Sequence, residues 1–286
     1  MNVAIIGLGL IGGSLGRTIA NRTADKVFAF DISKKAMLDG KLLGAYHYEL
    51  TDENIGEMDM VFFSLYPEAL ENNIEEYCKK LKKGCLVMDC CGNKRRIANQ
   101  MSELAKKYPH LDFISTHPMA GREFSGVNHS TATLFDKASM IIVPVKADIK
   151  RIAEFKSYAL GLGFGNVVIT TAEKHDEVIA FTSQLAHLVS SSYIKSDMAS
   201  QFMGFSAGSF RDMTRVARLS PEMWAQLTID NSDFLVEEID ELIKNLSDYK
   251  NALRQKDKQQ MLKLLSDGNE KKLLSEKMRR SGKNEQ

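Results

Sequence analysis

The chain of 286 residues carries a formal net charge of +1, and 44% of its residues are hydrophobic. This length is enough for two ordinary domains, and the balanced charge excludes an overall electrostatic attraction to nucleic acid. No apolar run approaches the roughly 20 residues of a membrane span, and the chain opens on strand sequence without the features of a secretory signal, so we expect no membrane contact and a cytoplasmic location.

The first predicted strand, Asn2–Ile6, runs directly into a glycine-rich turn of sequence GLGLIG. In a dinucleotide-binding unit the first glycine of such a turn, here Gly7, allows a tight bend, and the second, Gly9, lets the backbone approach a pyrophosphate. The third, Gly12, permits close packing of the following helix on the strand. The motif therefore predicts a coenzyme site at the start of the first helix.

The neighbouring elements strengthen this prediction. Backbone N–H groups at the helix N-terminus, including those of Leu10 and Ile11, would face the pyrophosphate. A second strand, Lys26–Phe30, ends at Asp31. Its carboxylate would accept hydrogen bonds from both hydroxyls of the adenosine ribose and repel a 2′-phosphate. We therefore predict NAD as the coenzyme, although the serine and lysine just beyond Asp31 leave NADP open.

Up to about residue 170, short apolar runs alternate with amphipathic helical segments, which is typical of an α/β fold with a doubly wound, mostly parallel sheet. Ligands of such sheets bind at the carboxyl ends of the strands, so Asp31, Ser64 and Asp89 should meet at one cleft. The loop after Ser115 should reach the same cleft, and we predict coenzyme contacts for Ser64 and Asp89. The predicted strands are Asn2–Ile6, Lys26–Phe30, Met60–Ser64, Leu86–Asp89, Phe113–Ser115, Met140–Pro144 and Val167–Thr170, and helices between them include Glu68–Lys80, Arg95–Lys107 and Ile149–Leu160.

After residue 171 the strand pattern disappears, and apolar residues recur at three- and four-residue spacing. We therefore predict two domains, a coenzyme-binding domain over residues 1–170 and an all-helical domain over residues 171–286. The last residues, Arg279 to Gln286, are expected to form a polar, frayed tail.

Two long helices are predicted in the second domain, Glu173–Ser196 and Pro221–Asn245. Ser220 is the expected N-cap of the second helix, with Pro221 as its first residue. Both helices are apolar on more than one face, as is typical of helices buried in a dimer core, so we expect a homodimer.

The cysteines do not suggest a metal site. Cys78, Cys85, Cys90 and Cys91 form no pair of CxxC units, and no histidine lies near them at ligand spacing. We predict no bound metal and small, reduced thiols in a reducing compartment.

Two polar clusters decide what the coenzyme is used for, and the first is STHPMAGRE at residues 115–123. Because His117 precedes a proline, we place it in a loop over the cleft. There its imidazole can accept a proton from an alcohol as a hydride leaves the same carbon. The alternative is a histidine that only caps a turn or bonds the pyrophosphate.

The second cluster is GSFRDMTR at residues 208–215. Arg211 and Arg215 are four apart and therefore share a helix face, with Asp212 able to orient one of them. Guanidinium groups bind carboxylates in bidentate fashion, so the pair predicts a substrate with more than one carboxylate. The alternative is a solvated, salt-bridged helix. The apolar residues of the cluster favour a packed segment instead.

Together, the segments GLGLIGGS, DCCGNK, STHPMAGRE, SQLAH and GSFRDMTRVA resemble the prephenate and arogenate dehydrogenases of tyrosine biosynthesis. The resemblance extends from Asn2 to about Leu246. It implies a Rossmann domain that binds NAD(P), a helical domain that forms the dimer, and NAD-dependent oxidative decarboxylation of prephenate to 4-hydroxyphenylpyruvate. Arogenate, which has an amine where prephenate has a keto group, is the rival substrate.

The resemblance also implies roles for individual residues. His117 matches the family's catalytic histidine, which hydrogen-bonds the C4 hydroxyl while hydride leaves C4. Arg215 matches the arginine that binds a substrate carboxylate, Asp212 its orienting partner, and His187 a second histidine at the substrate pocket. Glu123 matches an acid that gates or supports the site.

The sequence departs from the family pattern at two positions. Gly92 stands at the substrate where many members have a serine that donates to the substrate hydroxyl, so His117 works without that serine, or Asn93 or a water replaces it. Arg122 stands where a small polar residue is commoner, beside the substrate or the coenzyme. Two other functions remain open, a reductase of the 6-phosphogluconate or imine type and an NAD-sensing regulator without activity.

Overall fold

The computed structural model describes residues 1–122, 124–206 and 208–284. The chain forms two compact units, residues 1–232 and residues 233–286. The first unit holds a sheet with helices on both faces, and the described part of the second unit is helical. The predicted change from strands to helices near residue 170 is present, since the last strand ends at Ile169.

Within the described residues the sheet contains eight strands: β1 (Asn2–Ile6), β2 (Lys26–Phe30), β3 (Tyr48–Glu49), β4 (Met60–Phe63), β5 (Leu86–Asp89), β6 (Asp112–Pro118), β7 (Ser139–Lys146) and β8 (Asn166–Ile169). Their order is β3-β2-β1-β4-β5-β6-β7-β8, and all neighbours are parallel except β6 and β7. The order reverses between β1 and β4, which opens a crevice at their carboxyl ends. The doubly wound, mostly parallel α/β sheet predicted from the sequence is therefore confirmed, and only the short β3 was missed.

The described helices begin and end close to the predicted positions in the first half of the chain. Ser220 and Pro221 also begin their helix at the expected N-cap and first positions. The helices are α1 (Leu10–Arg22), α2 (Lys34–Leu42), α3 (Pro67–Cys78), α4 (Arg95–Lys107), α5 (Ile149–Gly161), α6 (Ala172–Ile179), α7 (Ala186–Tyr193), α8 (Gly208–Thr214), α9 (Pro221–Asp230), α10 (Ser232–Gln255) and α11 (Lys258–Asn284).

The sheet is buried on both faces because its strands are apolar at nearly every position. Successive side chains of β1 point to opposite faces, so Val3 and Ile5 join one apolar cluster, and Ala4 and Ile6 join another. Helices α1 and α5 contribute to the first cluster, and α3 and α4 to the second. Burying one large apolar side chain contributes about 1.5–3 kcal/mol, so these clusters fix the strand ends firmly in place.

The helix predicted over Glu173–Ser196 runs instead from Ala172 to Tyr193 and is not uniform. A π-helical stretch, Ala180–Leu185, separates α6 from α7. The start of α6 is capped by the Thr171 hydroxyl, which accepts a hydrogen bond from the Lys174 N–H at 3.1 Å. This cap places α6 directly after the last strand of the sheet.

The helix predicted over Pro221–Asn245 differs from the structure in two respects, because it is interrupted at Asn231 and its second part continues to Gln255. The Asn231 side chain is fully buried and donates to the Asp176 carbonyl oxygen at 2.9 Å and to Gln184 Oε1 at 2.8 Å. It also accepts a hydrogen bond from the Arg95 guanidinium at 2.9 Å. The backbone of Asn231 is not helical, with φ −123° and ψ 24°. The helix is thus interrupted at the residue whose side chain makes these three bonds.

The second unit contains α10 and α11, which are joined by a turn at Lys256 with φ +55°. The Tyr249 hydroxyl donates to the Leu264 carbonyl oxygen at 3.2 Å across this pair. The frayed tail predicted from Arg279 is wrong over most of its length, since α11 continues to Asn284. The last two residues lie outside the described part of the chain.

Candidate active site

The glycine-rich turn after β1 has the geometry of a cradle. Gly7 has φ +95°, and a Cβ at this position would lie 2.5 Å from the Ser64 carbonyl oxygen. A Cβ at Gly12 would lie 1.9 Å from the Gly7 carbonyl oxygen, so packing requires glycine at both positions. At Gly9 a Cβ would meet nothing within 4 Å. The turn thus leaves open space at the N-terminus of α1, where a pyrophosphate fits.

Two side chains beside this turn also fit a dinucleotide. Asp31 is half-buried and accepts hydrogen bonds from the Leu8 N–H at 2.7 Å and the Ser33 N–H at 2.8 Å, one on each carboxylate oxygen. Each oxygen has a second lone pair for a ribose hydroxyl. The Ser64 hydroxyl is buried without a hydrogen-bond partner within the described chain. A buried hydroxyl of this kind is expected to bond something that the chain does not supply.

The predicted convergence of the strand ends is present in the sheet register. Ile6 at the end of β1 pairs with Phe63 of β4, Phe63 pairs with Asp89 of β5, and Asp89 pairs with Ser115 of β6. These residues form one row across the sheet. The turn after β1 and the polar residues of β5 and β6 therefore lie at the same edge.

Asp89 and Lys94 form an ion pair beneath this edge, with both side chains fully buried. The Asp89 carboxylate also accepts hydrogen bonds from the Ser115 hydroxyl at 2.6 Å and the Cys91 N–H at 2.8 Å. The Lys94 ammonium also donates to the Thr116 carbonyl oxygen at 2.7 Å. With its carboxylate bonded by the chain on both oxygens, Asp89 braces the ends of β5 and β6. The coenzyme contact predicted for Asp89 stays a prediction.

The structure corrects the position of His117. It lies on β6, where it pairs with Ile141 of β7, and not in a loop. The strand predicted to end at Ser115 extends to Pro118 because β7 runs antiparallel beside it and supplies partners for the added residues. The proline does keep His117 out of a helix, as expected. The imidazole is thus held by strands on a rigid part of the fold.

His117, His175 and Asp176 form a hydrogen-bonded row that we call the His-His-Asp triad. His117 Nδ1 lies 2.9 Å from His175 Nε2, and His175 Nδ1 lies 2.7 Å from Asp176 Oδ1. The side chains of His175 and Asp176 are buried, whereas His117 is half-buried. Since Nδ1 of His117 faces His175, its Nε2 points away from the triad. Sequence reasoning missed His175 and Asp176, because the partner of His175 in this row, His117, lies 58 residues away along the chain.

Burial sets the protonation of both histidines. It holds the pKa of His117 well below its usual value, and the positive charges of His175, when protonated, and of Lys94 act in the same direction. Burial also lowers the pKa of His175. Both rings are therefore neutral near pH 7, as a general base must be.

His187 lies on α7 against the single tryptophan of the chain. Its ring centroid is 3.9 Å from that of Trp224, and its Nδ1 donates to the Ser183 carbonyl oxygen at 2.9 Å. Burial lowers the pKa of His187, and the nearby Arg215 guanidinium lowers it further. The structure thus brings together His187 and Arg215, two of the residues predicted to bind substrate.

The arginine cluster on α8 differs from its prediction in two ways. The α-helix ends at Thr214, and Arg215 begins a 3₁₀ turn, so Arg211 and Arg215 do not share a continuous helix face. The segment is also less packed than expected, since α8 has no buried residue, and Arg211, Asp212 and Arg215 are all exposed. Within this helix the half-buried Phe210 stacks on Phe202, with centroids 4.8 Å apart.

Gly92 follows β5 and lies against α9. A Cβ at this position would approach the Leu227 side chain to 3.2 Å, so a serine would need a small shift of that leucine. The next residue, Asn93, is buried, and its side-chain amide donates to the Leu227 carbonyl oxygen at 2.7 Å. The turn that carries Gly92 is therefore fixed to α9.

Three further predictions concern the residues after the HPMAG segment, the cysteines and the absence of a metal site. Glu123 lies outside the described residues, and Arg122 beside it is exposed. The Cys90 thiol at the edge of the sheet keeps its proton, since burial raises its pKa to about 12. Among the residues that the structure describes, no three His, Cys, Asp or Glu side chains lie together as a metal site, and no helix is long and apolar enough to cross a membrane.

The sequence matches two family models over most of its length. Residues 15–169 match the model described as prephenate dehydrogenase, nucleotide-binding domain, and residues 171–267 match the model described as prephenate dehydrogenase, dimerization domain. The chain belongs to the prephenate dehydrogenase family. The predicted family and the predicted class of enzyme, an oxidoreductase, are thereby confirmed.

Named relatives agree with this assignment. The chain is 27% identical over 272 residues to the prephenate dehydrogenase of Bacillus subtilis, covering 91% of this chain and 72% of the relative. It is 28% identical over 267 residues to the cyclohexadienyl dehydrogenase of Zymomonas mobilis, covering 90% of this chain and 89% of the relative. Both alignments therefore extend over at least 90% of this chain.

Solved structures show the same fold. The prephenate dehydrogenase from A. aeolicus in complex with hydroxyphenyl propionate and NAD+ has a TM-score of 0.81 at 23% identity, covering 96% of this chain and 97% of that one. Synechocystis arogenate dehydrogenase has a TM-score of 0.79 at 21% identity, covering 95% of this chain and 99% of that one. The predicted fold class, a Rossmann-type sheet with a helical second part, is confirmed.

Proposed function

We propose that this member of the family catalyses the NAD-dependent oxidative decarboxylation of prephenate to 4-hydroxyphenylpyruvate, with His117 as the general base. The observation that carries the proposal is the position of His117, a neutral imidazole on a rigid strand at the edge of the sheet that also holds the glycine turn. Its Nδ1 is engaged by His175 at 2.9 Å, which leaves Nε2 to meet the substrate hydroxyl.

In this reaction Nε2 of His117 takes the proton of the C4 hydroxyl as the C4–H bond gives up its hydride. The bond between C1 and its carboxylate then breaks, CO2 leaves, and the electron pair of that bond completes the aromatic ring. His117 returns the proton to the ring oxygen, so the product is a neutral phenol. A general base near its operating pH contributes typically 10²- to 10⁴-fold to such a step.

The chain's own residues suit the coenzyme. Gly7 and Gly12 shape the turn, Gly9 leaves room for the pyrophosphate, and the N–H groups of Leu10 and Ile11 lie at the start of α1. Asp31 would bind the ribose, and the unpartnered Ser64 hydroxyl would take a further bond from the coenzyme. Bound NAD would supply the hydride acceptor for the substrate.

The substrate-binding roles belong to the same proposal. Arg215 would bind a prephenate carboxylate beside His187, with Asp212 orienting Arg215 and Arg211 available to the second carboxylate. The electrostatic effect of Arg215 on His187 supports placing the carboxylate there. Gly92 stands where many members have a serine that donates to the substrate hydroxyl, so His117 would act without that donor.

Arogenate is the second candidate substrate. One relative is named cyclohexadienyl dehydrogenase, and one solved structure with this fold is an arogenate dehydrogenase. The two substrates differ only at the side chain, which carries a keto group in prephenate and an amine in arogenate. The residues that meet this group decide the preference.

The decisive experiment measures NADH formation by the purified protein with prephenate and with arogenate, each with NAD and with NADP. We expect the highest kcat/KM for prephenate with NAD. A higher kcat/KM for arogenate would make arogenate the preferred substrate. No turnover with either compound would favour a coenzyme-binding regulator without activity. In the same assay His117→Asn should lower kcat by roughly 10²- to 10⁴-fold with little change in KM.

The coenzyme preference has its own test in Asp31→Asn. The amide oxygen can still accept the bond from the Leu8 N–H, while the charge that repels a 2′-phosphate is lost. We expect the ratio of kcat/KM for NAD over NADP to fall about tenfold. This change corresponds to about 1.4 kcal/mol of lost discrimination between the two coenzymes. An unchanged ratio would remove Asp31 from coenzyme selection.

We further propose that residues 1–170 serve the coenzyme and that residues 171–286 bind substrate and form a homodimer. The match of residues 171–267 to a dimerization domain supports the dimer. So do Met198, Met203 and Phe205, which are 65%, 78% and 92% exposed in the single chain, since exposed apolar groups of this size mark interaction surfaces. Light scattering should give twice the chain mass, and Phe205→Asp should shift the measured mass toward that of the monomer.

A cytoplasmic location is also part of the proposal. The four cysteines are free thiols, as is expected of a protein in a reducing compartment.

A further inference from the structure

Behind His117, the His-His-Asp triad leads through His175 to Asp176, and both of these side chains are buried. We propose that Asp176 and His175 act as positioning residues that hold His117 in one tautomer, with the proton on Nδ1 and the lone pair on Nε2. The inference rests on the proposed function in one respect, because it takes His117 as the base. The tautomer itself can be tested without any assay of activity.

The positions of the protons in the triad can be assigned one after another, starting from the Asp176 carboxyl group. Burial alone would raise the pKa of this carboxyl, but hydrogen bonds from His175, Arg95 and Lys94 hold it below its usual value. The two backbone bonds come from the Lys94 N–H at 2.7 Å and the Arg95 N–H at 2.9 Å, one to each carboxylate oxygen. An ionised carboxylate only accepts hydrogen bonds. His175 must therefore donate to it through Nδ1–H.

The remaining nitrogens follow from this first assignment. A neutral imidazole carries one proton, so His175 Nε2 is left as an acceptor. At 2.9 Å its hydrogen-bond partner is Nδ1 of His117, which must then donate. His117 Nε2 is left without a proton, as the base in the proposed reaction requires. Each assignment is forced by the one before it.

The neutral state of His175 is essential to the order, and its surroundings favour that state. His117 on β6 bonds one ring nitrogen, Asp176 bonds the other, and the charge of Lys94 before α4 acts on the ring. Burial and Lys94 disfavour a charge on His175, whereas Asp176 and the more distant Asp89 favour it. The net effect lowers the pKa of His175, with burial as the largest cause.

Further hydrogen bonds hold the triad in place. Asp176 Oδ2 lies 3.3 Å from the Arg95 Nε, and the Asn231 side chain holds the Asp176 carbonyl oxygen. His117 itself is held between β5 and β7 through its strand. Because the base is held with one defined lone pair, the entropy cost of orienting it is met before the substrate binds. In a comparable arrangement, loss of the orienting carboxylate in a serine protease triad lowers kcat by about 10⁴-fold through the wrong tautomer.

The test compares His175→Leu with His175→Gln in the full-length enzyme. The leucine removes the acceptor for His117 Nδ1–H, whereas the glutamine keeps an amide oxygen within reach. We expect His175→Leu to lower kcat by roughly 10²- to 10³-fold with KM changed less than about threefold, and His175→Gln to recover at least about tenfold of that loss. His110→Leu, at the opposite end of β6, is the matched control and should keep wild-type kcat.

Two further measurements separate positioning from a structural role. Added to His117→Asn, the His175→Leu change should cost less than about threefold more, because the two residues act as a unit. In ¹⁵N NMR of histidine-labelled enzyme, His117 should carry its proton on Nδ1 in the wild type and show both tautomers in His175→Leu.

The outcomes distinguish the two proposals. Unchanged kcat in His175→Leu, a fully additive loss in the double variant, or a wild-type proton on His117 Nε2 would each overturn the positioning role. Near-normal turnover in His117→Asn would overturn the proposed function instead, and the NMR spectrum would then decide the triad alone. If His175→Leu does not fold, the wild-type spectrum and His175→Gln still decide it.

Discussion

Two polar clusters carry the proposed chemistry, and they are built in opposite ways. In the His-His-Asp triad, His175 and Asp176 are buried, and hydrogen bonds within the chain link all three side chains. On α8, Arg211 and Asp212 are exposed, and Arg215 lies exposed just beyond it. Hydrogen bonds within the chain complete the triad, whereas the side chains of the arginine cluster lie at the surface.

The difference suggests a division of labour between chemistry and recognition. A proton acceptor must have its geometry set before the reaction, and burial between strands provides that. A guanidinium that captures a carboxylate can settle as the ligand arrives, at the cost of ordering its side chain. Substitutions in the two clusters should therefore have different effects. Those in the buried cluster should lower stability and kcat, and those in the arginine cluster should raise KM.

The largest effect is expected from Lys94→Met beneath the triad. Removing one partner of the fully buried pair leaves the Asp89 charge uncompensated, which should lower the free energy of unfolding by about 3–5 kcal/mol in urea titrations. Lys35→Met, which breaks the exposed pair with Asp39, is the control and should cost less than about 1 kcal/mol. Equal losses in both variants would contradict the contrast between buried and exposed clusters.

A smaller effect, and of the other kind, is expected from Arg215→Met. Loss of a charge-assisted bidentate contact of about 1.5–3 kcal/mol should raise KM for prephenate roughly 10- to 100-fold while stability stays within about 0.5 kcal/mol. Arg215→Lys should recover only part of the binding, because an ammonium cannot form the fork. Arg254→Met on α10 serves as the exposed control. A fall in kcat with unchanged KM would place Arg215 in the chemistry instead.

The smallest effect is a pH dependence that belongs to the buried cluster. Because burial holds the pKa of His117 well below 6.5, kcat/KM should be flat near neutral pH and fall only along an acid limb below pH 6.5. His117, His175 and His187 all have lowered pKa values, so the unfolded chain binds more protons below pH 6.5. Their contribution to stability is present above that pH and is lost as pH falls through the folded pKa values. An acid limb centred above pH 6.5 would contradict the burial of the base.

Local patterns in the sequence predicted the sheet and the coenzyme turn well. Apolar strands such as β1 and β2 were predicted with their observed ends, since their residues alternate between two buried faces. Gly7 and Gly12 were assigned from the steric demands of a single turn, and the contacts that a Cβ would make there support both. Features that depend on neighbours in sequence were accessible.

Features that depend on distant neighbours were not accessible. His117 and His175 are 58 residues apart, and nothing near His175 in the sequence reveals that its ring meets another imidazole. The end of β6 was misplaced because its last residues are held by β7, an antiparallel partner from further along the chain. The break at Asn231 likewise depends on hydrogen bonds to side chains and backbone from three other segments.

The contact between His187 and Trp224 has a practical consequence. Trp224 is the only indole in the protein, and its ring lies 3.9 Å, centroid to centroid, from a histidine that borders the proposed substrate pocket. Its fluorescence should therefore respond to occupation of that pocket and to protonation of the neighbouring imidazole. The molecule contains a built-in optical reporter, so ligand binding can be followed without a label and without turnover.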